Sequence, residues 1–155
     1  MRLVASIDMK LKSFIRTAIF LLAMASLAAV AADLKVEAQL IWATSAPTSP
    51  NPKHKPVDAD IQVKLASLPL KWPHFFEENR KTIDVKETVT QKVELSEKSA
   101  MEVKHLSGEK LQVTLFGNGA EVWKGIQPLP KNDILVLGGN APGDSAWLVT
   151  LKRVD

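Results

Sequence analysis

The sequence predicts a mainly β protein: an antiparallel β-sandwich or partly open barrel of about eight strands with one short helix packed on it. Three observations carry this. Short runs alternating between apolar and polar residues recur from Leu34 almost to the C-terminus. Turn signals at Ser107-Gly108, Asn118-Gly119 and Gly138 to Gly143 divide them at short intervals. Only one stretch after the first 32 residues has a helical apolar face, which excludes an alternating β/α architecture.

The N-terminus reads as a cleaved export signal, residues 1–32, ahead of a single domain, residues 33–155. Lys10, Lys12 and Arg16 give a positive stretch, and Ala18 to Val30 is an uninterrupted apolar run. Ala29-Val30-Ala31 and Val30-Ala31-Ala32 both suit a signal peptidase. The run is shorter than the roughly 20 residues that a membrane-spanning helix needs. Met9-Lys10-Leu11-Lys12 would also open such a signal cleanly. The chain carries 20 Lys and Arg against 17 Asp and Glu. Removing the signal takes away Arg2, Lys10, Lys12, Arg16 and Asp8, which leaves the expected mature chain neutral. A neutral chain has no basic excess with which to neutralise phosphates, so nucleic acid is not an expected partner. No later apolar segment is long enough for a membrane span. The absence of cysteine excludes disulfides, thiolate metal sites and lipid-modified Cys.

Leu34 to Trp42 alternates as a strand. Residues 43–56 hold four prolines and no apolar period, which predicts an extended surface loop of unusual length. Asp58 to Leu68 is the predicted helix, with Asp58 or Asp60 as cap, Ile61, Leu65 and Leu68 on one face, and Pro69 as terminator. Strands are then expected near 75–85, 89–95, 100–106, 111–116, 121–126, 134–137 and 147–154. Ile134-Leu135-Val136-Leu137 is apolar on both faces and is expected to be central.

The order of signal, first strand, loop with Asn51-Pro52-Lys53, helix Ile61-Leu65-Leu68 and β run with Leu137-Gly138-Gly139 before the last hairpin resembles small exported bacterial β-rich proteins of unknown function. The resemblance covers most of the mature chain. It implies a β-domain with one helix and transfers no site.

No catalytic, cofactor or metal motif is found. His54, His74 and His105 lack the spacing of a metal pair and read as isolated surface or edge residues. Gly138 to Asp144 lacks the Lys and the following helix of a phosphate loop and reads as a hairpin connection. Trp72 and one of Phe75 and Phe76 are expected in the core, as are Trp42 and Trp147.

Phe116 and Trp123 are the residues of the one candidate binding surface. Asn118-Gly119 predicts a type I′ hairpin, which sets Gly117 opposite Ala120, Phe116 opposite Glu121, Thr114 opposite Trp123 and Gln112 opposite Gly125. Leu115 with Val122 and Leu111 with Ile126 would then be buried. Phe116 and Trp123 would be diagonal neighbours on the other face, either covered by the helix or a second sheet or open to a ligand. The expected function is that of a non-catalytic binding module, periplasmic or extracellular, whose partner is another envelope protein. A carbohydrate-binding module taking a polysaccharide on exposed aromatics is the second reading, and a hydrolase the third.

Overall fold

The first strand, β1 (Leu34–Thr44), runs past its predicted end because both of its faces are covered. Leu34, Val36, Ala38 and Leu40 are buried on one face, and Gln39, Ile41 and Ala43 on the other. The structure is a computed structural model and describes residues 33–138 and 143–155. The expected export signal at 1–32 and the core of the glycine-rich turn at 139–142 lie outside the described residues.

The elements that follow are β2 (Lys55–Pro56), helix α1 (Ala59–Ala66), β3 (His74–Val85), β4 (Thr90–Glu94), β5 (Ser99–Ser107), β6 (Lys110–Gly117), β7 (Ala120–Pro128), β8 (Ile134–Gly138) and β9 (Ser145–Arg153). Among the described residues nine strands form two antiparallel sheets, ordered β2-β3-β1-β9-β8 and β4-β5-β6-β7, with no closed barrel. This is the β-sandwich with one helix that the alternation predicts. The strand missed by the sequence is β2, which pairs Lys55 with Glu77 and Pro56 with Phe76 inside the proline-rich segment.

The two sheets enclose one core, with Val36, Leu40, Val85, Leu95, Met101, Val103, Leu111, Val113 and Leu151 buried between them. A second core lies on the far face of the larger sheet, where Ile61 and Leu65 of α1, with Trp72 and Phe75, cover Ile41, Ala43 and Leu148. This explains β8. Leu135 and Leu137 face the smaller sheet while Ile134 and Val136 face the second core, so the strand is apolar on both faces. It is nevertheless an edge strand paired only with β9, a correction to the central place expected for it. Two covered faces do not require two neighbours in the sheet.

Asp58 sits at the N-cap of α1 but makes no capping hydrogen bond, because its carboxylate turns to Arg80 instead. The sheets approach each other at β3 with β4 and β5, where Asn79 Nδ2 donates to the Leu95 carbonyl across 2.7 Å. On the opposite side β7 and β8 are each the last strand of their sheet.

Candidate functional site

The turn at Asn118-Gly119 is as the sequence dictates: both residues have positive φ, 51° and 79°, and Gly117 pairs with Ala120 and Phe116 with Glu121. The register then departs from expectation. A β-bulge inserts Val122, so that Leu115 pairs with Trp123, Val113 with Gly125 and Leu111 with Gln127. One residue of slip turns every later side chain to the other face. Val122 and Ile126, expected inside, are 64% and 56% exposed, while Trp123 packs on the core between the sheets. Burying an indole removes far more apolar area from water than burying a valine, which is the reason for the inversion.

Phe116 and Trp123 therefore stand on opposite faces of their sheet. Phe116 lies over Ala100 on the outer face, with the Lys92 ammonium 5.9 Å from its ring centre. The two residues still meet as walls of a single cavity, about 830 Å³, that opens between β7 and β8.

A different pair of aromatics reaches the surface, Trp147 exposed and Trp42 half-buried. Trp42 of β1 and Trp147 of β9 are directly paired across the ladder, their ring centres 4.7 Å apart at an interplanar angle of 50°. Both were expected in the core. They share the inner face of the larger sheet with Leu40 and Val149 but lie at its end, and Trp147 is 44% exposed. His54 approaches Trp147 edge-on at 6.2 Å.

His54 is delivered there by the proline-rich segment, which is an ordered structure fastened by its own polar side chains. Ser45 N–H donates to the Asp144 carbonyl, Ala46 N–H to Thr44 Oγ1, Asn51 N–H to Ser49 Oγ and Lys53 N–H to Asn51 Oδ1. The Ser49 hydroxyl and His54 Nδ1 are 2.7 Å apart. The bonds to the Thr44, Ser49 and Asn51 side chains are Asx- and hydroxyl-turn interactions, and with the backbone bond to Asp144 they order a segment that prolines keep out of a helix.

Together they form a groove of about 630 Å³ with an aromatic floor, Trp42 and Trp147. Its rim carries Asn51, Lys53, Glu78, Asn79, Lys98 and Ser99. Glu78 reaches the groove because it is the extra residue of a second β-bulge, where Leu40 pairs with Asn79 and Ile41 with Glu77. Two buried polar atoms of groove-lining side chains, Trp42 Nε1 and Glu78 Oε2, have no hydrogen-bond partner within the described residues. Gln39 Oε1, Trp72 Nε1 and His105 Nδ1, away from the groove, share this property, so it does not by itself mark a ligand site.

The other polar clusters are structural in their bonding. Arg80 lies 2.5 Å from Glu77, 2.8 Å from Asp58 and 3.5 Å from Glu37, next to the buried Gln39 amide. The hydrogen bond from Arg80 holds the Asp58 carboxyl below the usual carboxylate range. His105, read as a surface or edge residue, lies near the end of β5 and is buried at the end of the sandwich core, its Nε2 2.8 Å from the Gly108 carbonyl. His54, His74 and His105 are not brought together. Among the described residues no three His, Asp or Glu side chains are grouped to hold a metal ion.

The sequence missed the groove because Trp42, Trp147 and His54 converge only through the β1–β9 register and the folding back of the loop. No protein-family model, curated protein or solved structure matches the chain.

Proposed function

We propose that the protein is an exported, non-catalytic binding module that takes a saccharide in the groove floored by Trp42 and Trp147. The observation that carries this reading is the cross-strand Trp pair, open on one side and surrounded by amide, hydroxyl, ammonium and carboxylate groups. A pyranose ring has apolar C–H faces and an equator of hydroxyls. An indole face takes the first, and Asn51, Asn79 and Glu78 offer donors and acceptors for the second. A rigid strand-borne floor costs little entropy to order, and the turn-fastened loop bearing His54 adds a preformed wall.

A protein partner is the alternative. The groove favours the saccharide, because its floor is small, concave and ringed by polar groups, whereas a protein interface of ordinary size needs a larger and more apolar centre.

The test is titration of the purified protein with maltose, lactose and chitobiose, read by indole fluorescence and calorimetry. At least one sugar should perturb the indole emission saturably, and Trp147→Ala should abolish the effect with the fold intact. Failure of all three sugars, or binding indifferent to Trp147→Ala, overturns the reading.

A further inference from the structure

The groove and the cavity between β7 and β8 are not independent. Trp147 and Ser99 line both, so one indole separates a polar-rimmed space of about 630 Å³ from a second of about 830 Å³. The second has a different chemistry. Leu40, Leu115, Leu135, Leu137 and Val149 supply much of its wall, with Trp123 and Phe116, and among the described residues no Asp, Glu, Lys, Arg or His lines it. In a chain that is 24% charged, so large a charge-free hollow suits an apolar occupant. It extends along β6 and β7 from the level of Gly117 to that of Gln127, which pairs with Leu111. Six strand steps make this about 20 Å, the length of an extended alkyl chain of medium to long size.

A peptide strand added to the sheet edge is the competing occupant. The edge strand of the smaller sheet is interrupted by the bulge at Val122, and β8 on the other side is only five residues long. Bulges and short strands are the means by which sheet edges resist strand addition. An alkyl chain needs no backbone ladder.

We infer that the ligand is amphiphilic, a glycolipid-class molecule whose saccharide lies on Trp42 and Trp147 and whose alkyl chain passes Trp147 into the cavity between β7 and β8. This rests on the saccharide reading of the groove and extends it to a second, contiguous compartment. Trp147 is the positioning residue between the two, in contact with the head on one side and the first carbons of the chain on the other.

The experiment compares maltose and lactose, each free and as its n-dodecyl β-glycoside, with n-dodecylphosphocholine, all below micelle-forming concentration, by calorimetry on the purified protein. Burial of a chain of this length predicts that a dodecyl glycoside binds at least about 100-fold more tightly than its parent sugar. Leu135→Trp, which fills the cavity from a half-buried position on β8, should erase that advantage and leave the affinity for the free sugar unchanged. Equal affinity for sugar and dodecyl glycoside overturns the inference and leaves the saccharide reading standing. Dodecylphosphocholine binding as tightly as the glycosides overturns the inference, and where the free sugars also fail to bind it overturns the saccharide reading with it. An advantage that survives Leu135→Trp places the chain elsewhere and overturns the inference alone.

Discussion

The six-membered ring of Trp123 lies where the side chain of Gly125 would be: a Cβ built on Gly125 falls 2.7 Å from the nearest ring carbon. The two residues sit on the same inner face, two apart on β7, so the indole lies flat along its own strand and covers the glycine. Glycine in a strand is ordinarily a loss, since it orders a flexible residue and packs nothing. Here an aromatic packed across it restores the buried area, and in doing so forms a wall of the cavity between the sheets.

Gly125→Ala should therefore displace the indole and cost about 1–3 kcal/mol, the range of an overpacked site. In a Trp123→Leu background the same change should be neutral or stabilising, because alanine is the better strand residue once the ring is gone. A double-mutant cycle in denaturant melts measures this coupling. Equal costs in the two backgrounds would show that the ring does not occupy that space.

The inversion at the bulge explains which parts of the site were legible. Asn118-Gly119 fixed its own turn because both residues tolerate positive φ, a strictly local property. The bulge was not local. Val122 and Trp123 are adjacent and both apolar, a regular strand can bury only one of them, and the choice rests with the space left by the facing sheet. The alternation of β5 was legible because it has no such conflict, with Met101 and Val103 buried between Glu102 and Lys104. Leu65 and Ile61 were legible for the same reason. Trp42 and Trp147 were not, because the sequence shows that each belongs to an apolar face but not where that face ends.

Phe116 and Trp123 should respond differently to truncation. Trp123→Ser removes a side chain packed on the sandwich core and should cost about 3 kcal/mol. Phe116→Ser removes a half-exposed ring over Ala100 and should cost about 1 kcal/mol. Thermal melts of the two single variants distinguish them. Equal, small losses would return both residues to an exposed surface.

Leu65→Asp should unfold or severely weaken the protein, by several kcal/mol. Leu65 is 1% exposed beneath α1, among Ile41, Trp72 and Leu148, where a carboxylate has no partner. Val63 on the opposite side of the helix is 72% exposed, and Val63→Asp should change stability by no more than about 0.5 kcal/mol. Comparable losses from the two changes in urea titrations would mean that α1 is not docked on the sheet.

The acid limb of stability has identified sources. Hydrogen bonds from Arg80 to Asp58, from Lys152 to Asp60, from Lys64 to Asp133 and from Arg153 to Asp155 each hold the carboxyl below its ordinary value of 3.8. For a carboxyl depressed in the folded state, the unfolded chain takes up its proton first as pH falls. The stabilisation is therefore complete above the unfolded value and is lost as pH descends through it toward the folded one. The melting temperature should be level from neutrality to about pH 5 and then fall steadily below about pH 4. All four carboxyls are substantially solvent-exposed and their ion pairs screened, so each contributes at most about 1 kcal/mol and the decline is gradual. Asp58→Asn should shallow the limb, because it removes a depressed carboxyl and leaves Arg80 its partners Glu77 and Glu37. Calorimetric melts of the two proteins between pH 7 and pH 3 measure this. Parallel curves would mean that the Arg80–Asp58 contact, at 2.8 Å, contributes nothing in solution.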